Sequence, residues 1–291
     1  MLKPGRTLQG IAIRDLDRDV VETLGQPTIV APGEPADAPD WLLLAVRCDQ
    51  INEALPLAQR YLASHTTLVV VPPLMHDLIH RVRGARIDQP VIAMLVGFGA
   101  WPVGAELHWF RLPDAACLLS AEGDATVLPA AESFAAALAE AGLPALARLA
   151  IPTFVRALVA SEYALLLGWE LVGWDIDRLS ADPELCTLTT GAMADAIRVV
   201  ANESGATESI LEGMPSLEHR VASMNENLRA IWRFHGPKIA LQTRQLVDGL
   251  IDEAQKTNVS VDSLMALRAR LRSTSPPLSD RSQPEGDLPG V

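Results

Sequence analysis

Short uninterrupted apolar runs punctuate the first half of the chain. Residues 41–46 (WLLLAV), 67–71 (TLVVV) and 90–96 (PVIAMLV) lack the alternation of a half-exposed strand. Runs of this kind belong to strands covered on both faces. Between the first two, residues 51–62 place Leu55, Ala58, Gln59 and Leu62 at helical spacing, with Pro56 near the start of the segment. Residues 76–82 carry a second helical pattern before the third run. Strand, helix, strand, helix, strand with short connections predicts a parallel α/β sheet. Two more strands are expected at 105–112 and 116–120, with Pro113 and Asp114 turning the chain between them.

The pattern changes near residue 130. Residues 131–141 read as an alanine-rich helix ended by Gly142 and Pro144. After Pro152 the spacing predicts helices at 153–168, 187–205, around 221–231, at 237–257 and at 261–271. In the fourth of these, Leu246, Val247, Leu250, Ile251 and Ala254 form one apolar stripe. Residues 273–291 are rich in Pro, Ser, Gly and Asp and are expected to be a disordered tail. The expected organisation is an α/β domain over 1–150, a helical domain over 151–272 and the tail.

Charge narrows the partners. Asp and Glu outnumber Lys and Arg 36 to 24, a formal net charge of −12. Such a surface repels phosphate backbones and anionic lipid, so neither nucleic acid nor membrane is an expected partner. No apolar run reaches the roughly 18 residues of a membrane span. Three widely spaced cysteines (Cys48, Cys117, Cys186), no CxxC pair and no secretory leader after Met1 point to reduced thiols in the cytoplasm.

Few local motifs carry chemistry. Gly97-Phe98-Gly99-Ala100-Trp101-Pro102 follows a strand, but Pro102 stands where a third glycine is needed, so a turn between strands is expected rather than a phosphate loop. His76-Asp77-Leu78-Ile79-His80 has zinc-binding spacing, yet Asp is a methylene short of Glu and a third ligand such as His108 is remote. No metal is expected. Cys48 lies beside Asp49, which does not activate a thiol. Trp101, Trp109, Trp169, Trp174 and Trp232 are expected to wall a core or a cleft.

Several segments, taken in order, resemble the ketopantoate reductases of the 6-phosphogluconate-dehydrogenase-like superfamily. Residues 40–55 (DWLLLAVRCDQINEAL) resemble a strand ending in A-V-K-x-x-Q and then a helix with E-A-L; Arg47 takes the lysine position and Gln50 the glutamine. Residues 97–106 resemble the return strands after the sixth sheet strand. Ser223, Met224, Leu228 and Arg229 resemble an S-M-x-x-D-x-R segment, with Asn227 at or beside the aspartate. The resemblance implies a partial Rossmann-like parallel sheet followed by an all-helical C-terminal domain, an NADP-dependent reduction of a 2-oxo acid, and a dimer. It places cofactor contacts at Arg47 and Gln50.

The departures bear on function. A dinucleotide site opens with a strand, a GxGxxG turn and a helix N-terminus. Residues 7–14 already resemble the segment after the second strand, so this unit is expected to be missing. The family's general acid is a lysine, and its position is Arg156, which gives up a proton reluctantly. Two asparagines, one and two turns on, match Ala160 and Ala164; a sheet-edge asparagine falls in 71–74 with Pro72 and Pro73; Gln242 is nearest to a substrate-gripping glutamate. These departures leave two functional alternatives. In one, the chain is a non-reducing relative, a pseudoenzyme without cofactor, whose interdomain cleft takes a small carboxylic acid through Arg156, Ser223, Asn225 and Arg229, with Glu162 and Tyr163 nearby. A helix–helix salt bridge among the same residues is the structural alternative. In the other, the protein is a genuine NADP-dependent reductase whose glycine-rich opening lies upstream of this chain. With that opening unit absent, the inner edge of the strand at 41–46 lacks a neighbour, and is expected to be covered by residues 7–29 or by a second copy.

Overall fold

The computed structural model describes residues 12–23, 25, 37–71, 82–85, 87–112, 115–202 and 205–274. The chain divides into two compact units, Met1–Ile151 and Pro152–Val291. The helical pattern at 76–82, with His76 and His80, lies almost wholly outside the described residues, as do Pro72, Pro73 and the tail beyond 274.

The first unit holds two sheets rather than one. The larger has the order β3 (Trp41–Leu44), β4 (Thr67–Val70), β5 (Val91–Leu95), β8 (Cys117–Ser120), β9 (Ala145–Arg148). The first three strands and the last pair run parallel, but β8 is antiparallel to β5, so the sheet is mixed. The reversal has a simple cause: the hairpin β6 (Phe98–Val103) and β7 (Glu106–Arg111) stands between β5 and β8 in sequence. That hairpin joins β1 (Ala12–Asp15) and β2 (Val20–Thr23) in a second sheet of order β2-β1-β7-β6.

Helix α1 (Ile51–Ala58) follows a 3-10 turn at Cys48–Gln50, and α2 (Leu128–Glu140) links β8 to β9. Alternation along the strands sends Val69, Ile92, Met94, Cys117 and Leu119 to one face, where they pack with Ala131, Phe134 and Ala135 of α2. Leu68, Val70, Val91 and Ala93 point the other way and are buried too. Burial on both faces explains the unbroken apolar runs.

One expectation of the first unit is corrected, and another is reached only in part by the described residues. Residues 98–103 are a strand, not a turn; the turn is at Gly104, whose positive φ of 58° a glycine adopts without strain. The described part of 7–29 does not cover β3. Ala12–Asp15 pairs with Glu106–Trp109 in the second sheet, and residues 7–11, 24 and 26–29 lie outside the described set.

The second unit is helical: α3 (Thr153–Leu171), α4 (Ile176–Ser180), α5 (Pro183–Ala201), α6 (Thr207–Gly213), α7 (Leu217–Ser223), α8 (Glu226–Thr257) and α9 (Asp262–Thr274). Helix α3 is apolar almost all round and buried from Tyr163 to Trp169, which makes it the central helix. Helices α5, α8 and α9 pack on it. Gly168 lets α5 close in, since a Cβ there would sit 2.6 Å from Thr189 Oγ1. Asp195 of α5 accepts from the backbone N–H groups of Ser263 and Leu264 at 2.9 and 3.1 Å, satisfying the start of α9 from a neighbouring helix.

The chain at 226–257 is one 32-residue helix and does not break before Pro237. Pro237 removes one N–H and frees the carbonyl of exposed Arg233, while Gly236 before it presents no Cβ to Trp174. Packing on both sides of the proline, Trp232 against Trp169 before it and buried Gln242 and Leu246 after it, holds the helix through it.

Candidate functional site

Arg156 sits half-buried in the first turn of α3, where its backbone N–H donates to the carbonyl of Pro152 at 3.1 Å. The residues one and two turns further along the same face are Ala160, 4% exposed, and Ala164, fully buried. Methyl groups therefore fill both positions at which the resemblance calls for amides. Ala157, next to Arg156, is core, packed with Ile197, Ala201 and Ile210.

Glu162 makes an ion pair, but its partner is Arg220 of α7, a residue that no sequence pattern singles out. Only about 9% of the Arg220 side chain is exposed, against 31% for Glu162. Burial pushes the Glu162 carboxyl above the usual carboxylate range, and the Arg220 charge opposes that shift.

The other three residues expected to line a binding pocket act locally. Ser223 Oγ donates to the Arg220 carbonyl at 2.9 Å. Asn225 is the N-cap of α8, its Oδ1 accepting from the Leu228 N–H at 2.9 Å. Arg229 donates to Asp177 Oδ1 at 2.7 Å and to the carbonyls of Val221 and Met224 at 3.2 and 3.3 Å. These bonds tie α7, α8 and α4 together. The structure thus brings Arg220, Ser223, Asn225 and Arg229 to the α7–α8 junction, with Glu162 reaching it from α3. Gln242, on α8, is buried.

Arg47 and Gln50 close on one another. Arg47 Nε and Nη2 grip Asp49 at 3.0 and 2.9 Å, and the Gln50 Oε1 accepts from the Arg47 N–H at 3.3 Å. The hydrogen-bonded guanidinium holds the Asp49 carboxyl below the ordinary range, and Arg47 is raised in return. Cys48, between them in sequence, is buried.

In the second sheet, Glu106 accepts from Arg14 Nε at 2.8 Å and lies 3.2 Å from His108 Nε2. Among the described residues no three His, Cys, Asp or Glu side chains are grouped to hold a metal ion, and no helix is long and apolar enough to cross a membrane.

No family model matches the sequence, and no curated protein matches it. Solved structures do. The dimeric ketopantoate reductase from Staphylococcus aureus superposes with a TM-score of 0.60 at 12% identity, covering 91% of this chain and 86% of that one. The 2-dehydropantoate 2-reductase from Methylococcus capsulatus gives 0.62 at 18% identity, covering 91% and 86%. A D-mandelate dehydrogenase with NADH and anilino(oxo)acetate gives 0.64 at 13% identity, covering 90% and 84%. At these identities the likeness is one of fold: mixed and parallel sheets first, a helical region after, as in ketopantoate reductase.

Proposed function

We propose that this protein is a non-reducing relative of the ketopantoate reductases that binds a small carboxylic acid at Arg156, without a dinucleotide. The observation that carries the reading is the pair of buried alanines behind Arg156. Methyl groups at Ala160 and Ala164 have no hydrogen bonds to give a nicotinamide or a substrate hydroxyl. A guanidinium offers a planar fork of donors that matches a carboxylate and gives up a proton reluctantly, so Arg156 serves as a carboxylate fork and not as a proton donor. Arg47 and Gln50, the positions implied for cofactor contact, are taken up by Asp49 and by backbone, which also supports the reading.

A ligand of this kind needs no redox step. The chemistry open to the site is binding, or a cofactor-free step on the acid. The test is calorimetric titration of a panel of small mono- and dicarboxylates into wild type and Arg156→Ala. Saturable binding by wild type, weakened at least tenfold in Arg156→Ala, supports the assignment. Equal affinity in both proteins, or no binding by either, contradicts it.

A further inference from the structure

We infer that the free edge of β3 pairs with β3 of a second copy of this chain. Among the described residues β3 is hydrogen-bonded on one side only, to β4. The Thr67 N–H donates to the Asp40 carbonyl at 2.8 Å and the Val71 N–H to the Leu44 carbonyl at 3.1 Å. Since backbone direction alternates along a strand, the N–H and C=O groups of Trp41 and Leu43 point to the open side.

The other three edges of the two sheets are protected in ordinary ways. Strand β2 carries Glu22, β6 carries Pro102, and β9 carries the exposed charge of Arg148. Strand β3 carries none of these devices. Its run WLLLAV has no charge, proline or glycine, and Leu43 is 49% exposed on it. The strand has the composition of a sheet interior and the position of a sheet edge.

A second copy fits better than an unrelated strand because the edge is self-complementary. In an antiparallel pair, residues that face one another with their backbone groups must both point across the gap. Leu43 opposite Leu43 of the copy meets that condition and sets Trp41 opposite Ala45 in both directions. The same two-fold axis sets the two Leu43 side chains, each 49% exposed in the single chain, side by side on one face, so that pairing takes apolar surface out of water. Two-fold pairing of this kind closes, and so gives a dimer and not a fibre. The chain's net charge of −12 opposes the association, so the dimer should tighten as salt screens the copies.

The test is sedimentation velocity at tens of micromolar in about 0.15 M salt, a Debye length near 8 Å. Wild type is expected to run as a dimer and Leu43→Lys, which sets two ammonium groups face to face, as a monomer. A second readout does not depend on that variant folding. Leu43→Cys should form a 43–43 disulfide between copies on mild oxidation, because facing hydrogen-bonded residues lie about 5.5 Å apart at Cα. A monomeric wild type, a Leu43→Lys protein that remains a dimer, or no 43–43 linkage would overturn the inference.

Discussion

Trp174 packs against Gly236, so close that a Cβ on the glycine would overlap the indole ring. Trp174 has a positive φ of 66°, unusual for so large a residue, and its N–H donates to the Trp169 carbonyl at 2.7 Å. The contact fixes where α8 crosses the end of α3. Gly236→Ala should destabilise the protein by about 1–2 kcal/mol: overpacking costs about 1–3 kcal/mol, and helix propensity returns up to about 1. Urea denaturation measures it. A gain near 1 kcal/mol would show propensity acting alone, with no clash.

The Glu162–Arg220 pair should be weak as a pair and costly to break. Glu162→Ala leaves a buried guanidinium without its carboxylate, and should destabilise by about 1–3 kcal/mol after discounting for the partly exposed Glu162. Replacing both, Glu162→Leu with Arg220→Met, should restore stability to near wild type. A double variant as unstable as the sum of the singles would mean that the two side chains do not interact.

Acid should act through Asp49. Its carboxyl is held below the ordinary range by the Arg47 hydrogen bonds, so the stability it contributes is complete above the unfolded value of about 3.9. That stability is lost as pH falls through the lower folded value. Asp49→Asn should lower stability at neutral pH by no more than about 1 kcal/mol, since both side chains are partly exposed. The difference from wild type should disappear in acid. A difference that persisted unchanged there would assign it to packing.

Much of the fold is legible in the sequence because burial on both faces leaves unbroken apolar runs. Trp41–Leu44, Thr67–Val70 and Val91–Leu95 fall inside the runs that the sequence marks, and α3 and α9 fall on their patterns. Strands β1, β2 and β9 are not legible. Each is four residues long and mostly exposed or half-exposed, so pairing and not composition makes it a strand. Pro237 misleads for the opposite reason, since local propensity gives way to packing on both sides of it, Trp232 on Trp169 and buried Gln242 and Leu246.

The site is legible only in part. Ala160 and Ala164 stand out in the sequence as changed positions, and both are buried. Arg220 does not stand out, because its helix is short and a buried arginine cannot be told from a surface one without its partner. Its one signal is spacing: it stands three residues after Leu217 and beside Val221, the other two buried residues of α7.

The central claim is that this chain does not take up a dinucleotide. Each missing hydrogen bond to a polar or charged partner removes about 1–3 kcal/mol, so on the proposed reading the methyl groups of Ala160 and Ala164, in place of two amides, remove a large part of a micromolar affinity. Restoring a general acid, worth on the order of 10²–10⁴ in rate, would not help a protein that binds no hydride donor. Calorimetric titration with NADPH, for wild type and Arg156→Lys, tests this most directly. No heat of saturable binding is expected in either protein; micromolar affinity in either would contradict the claim.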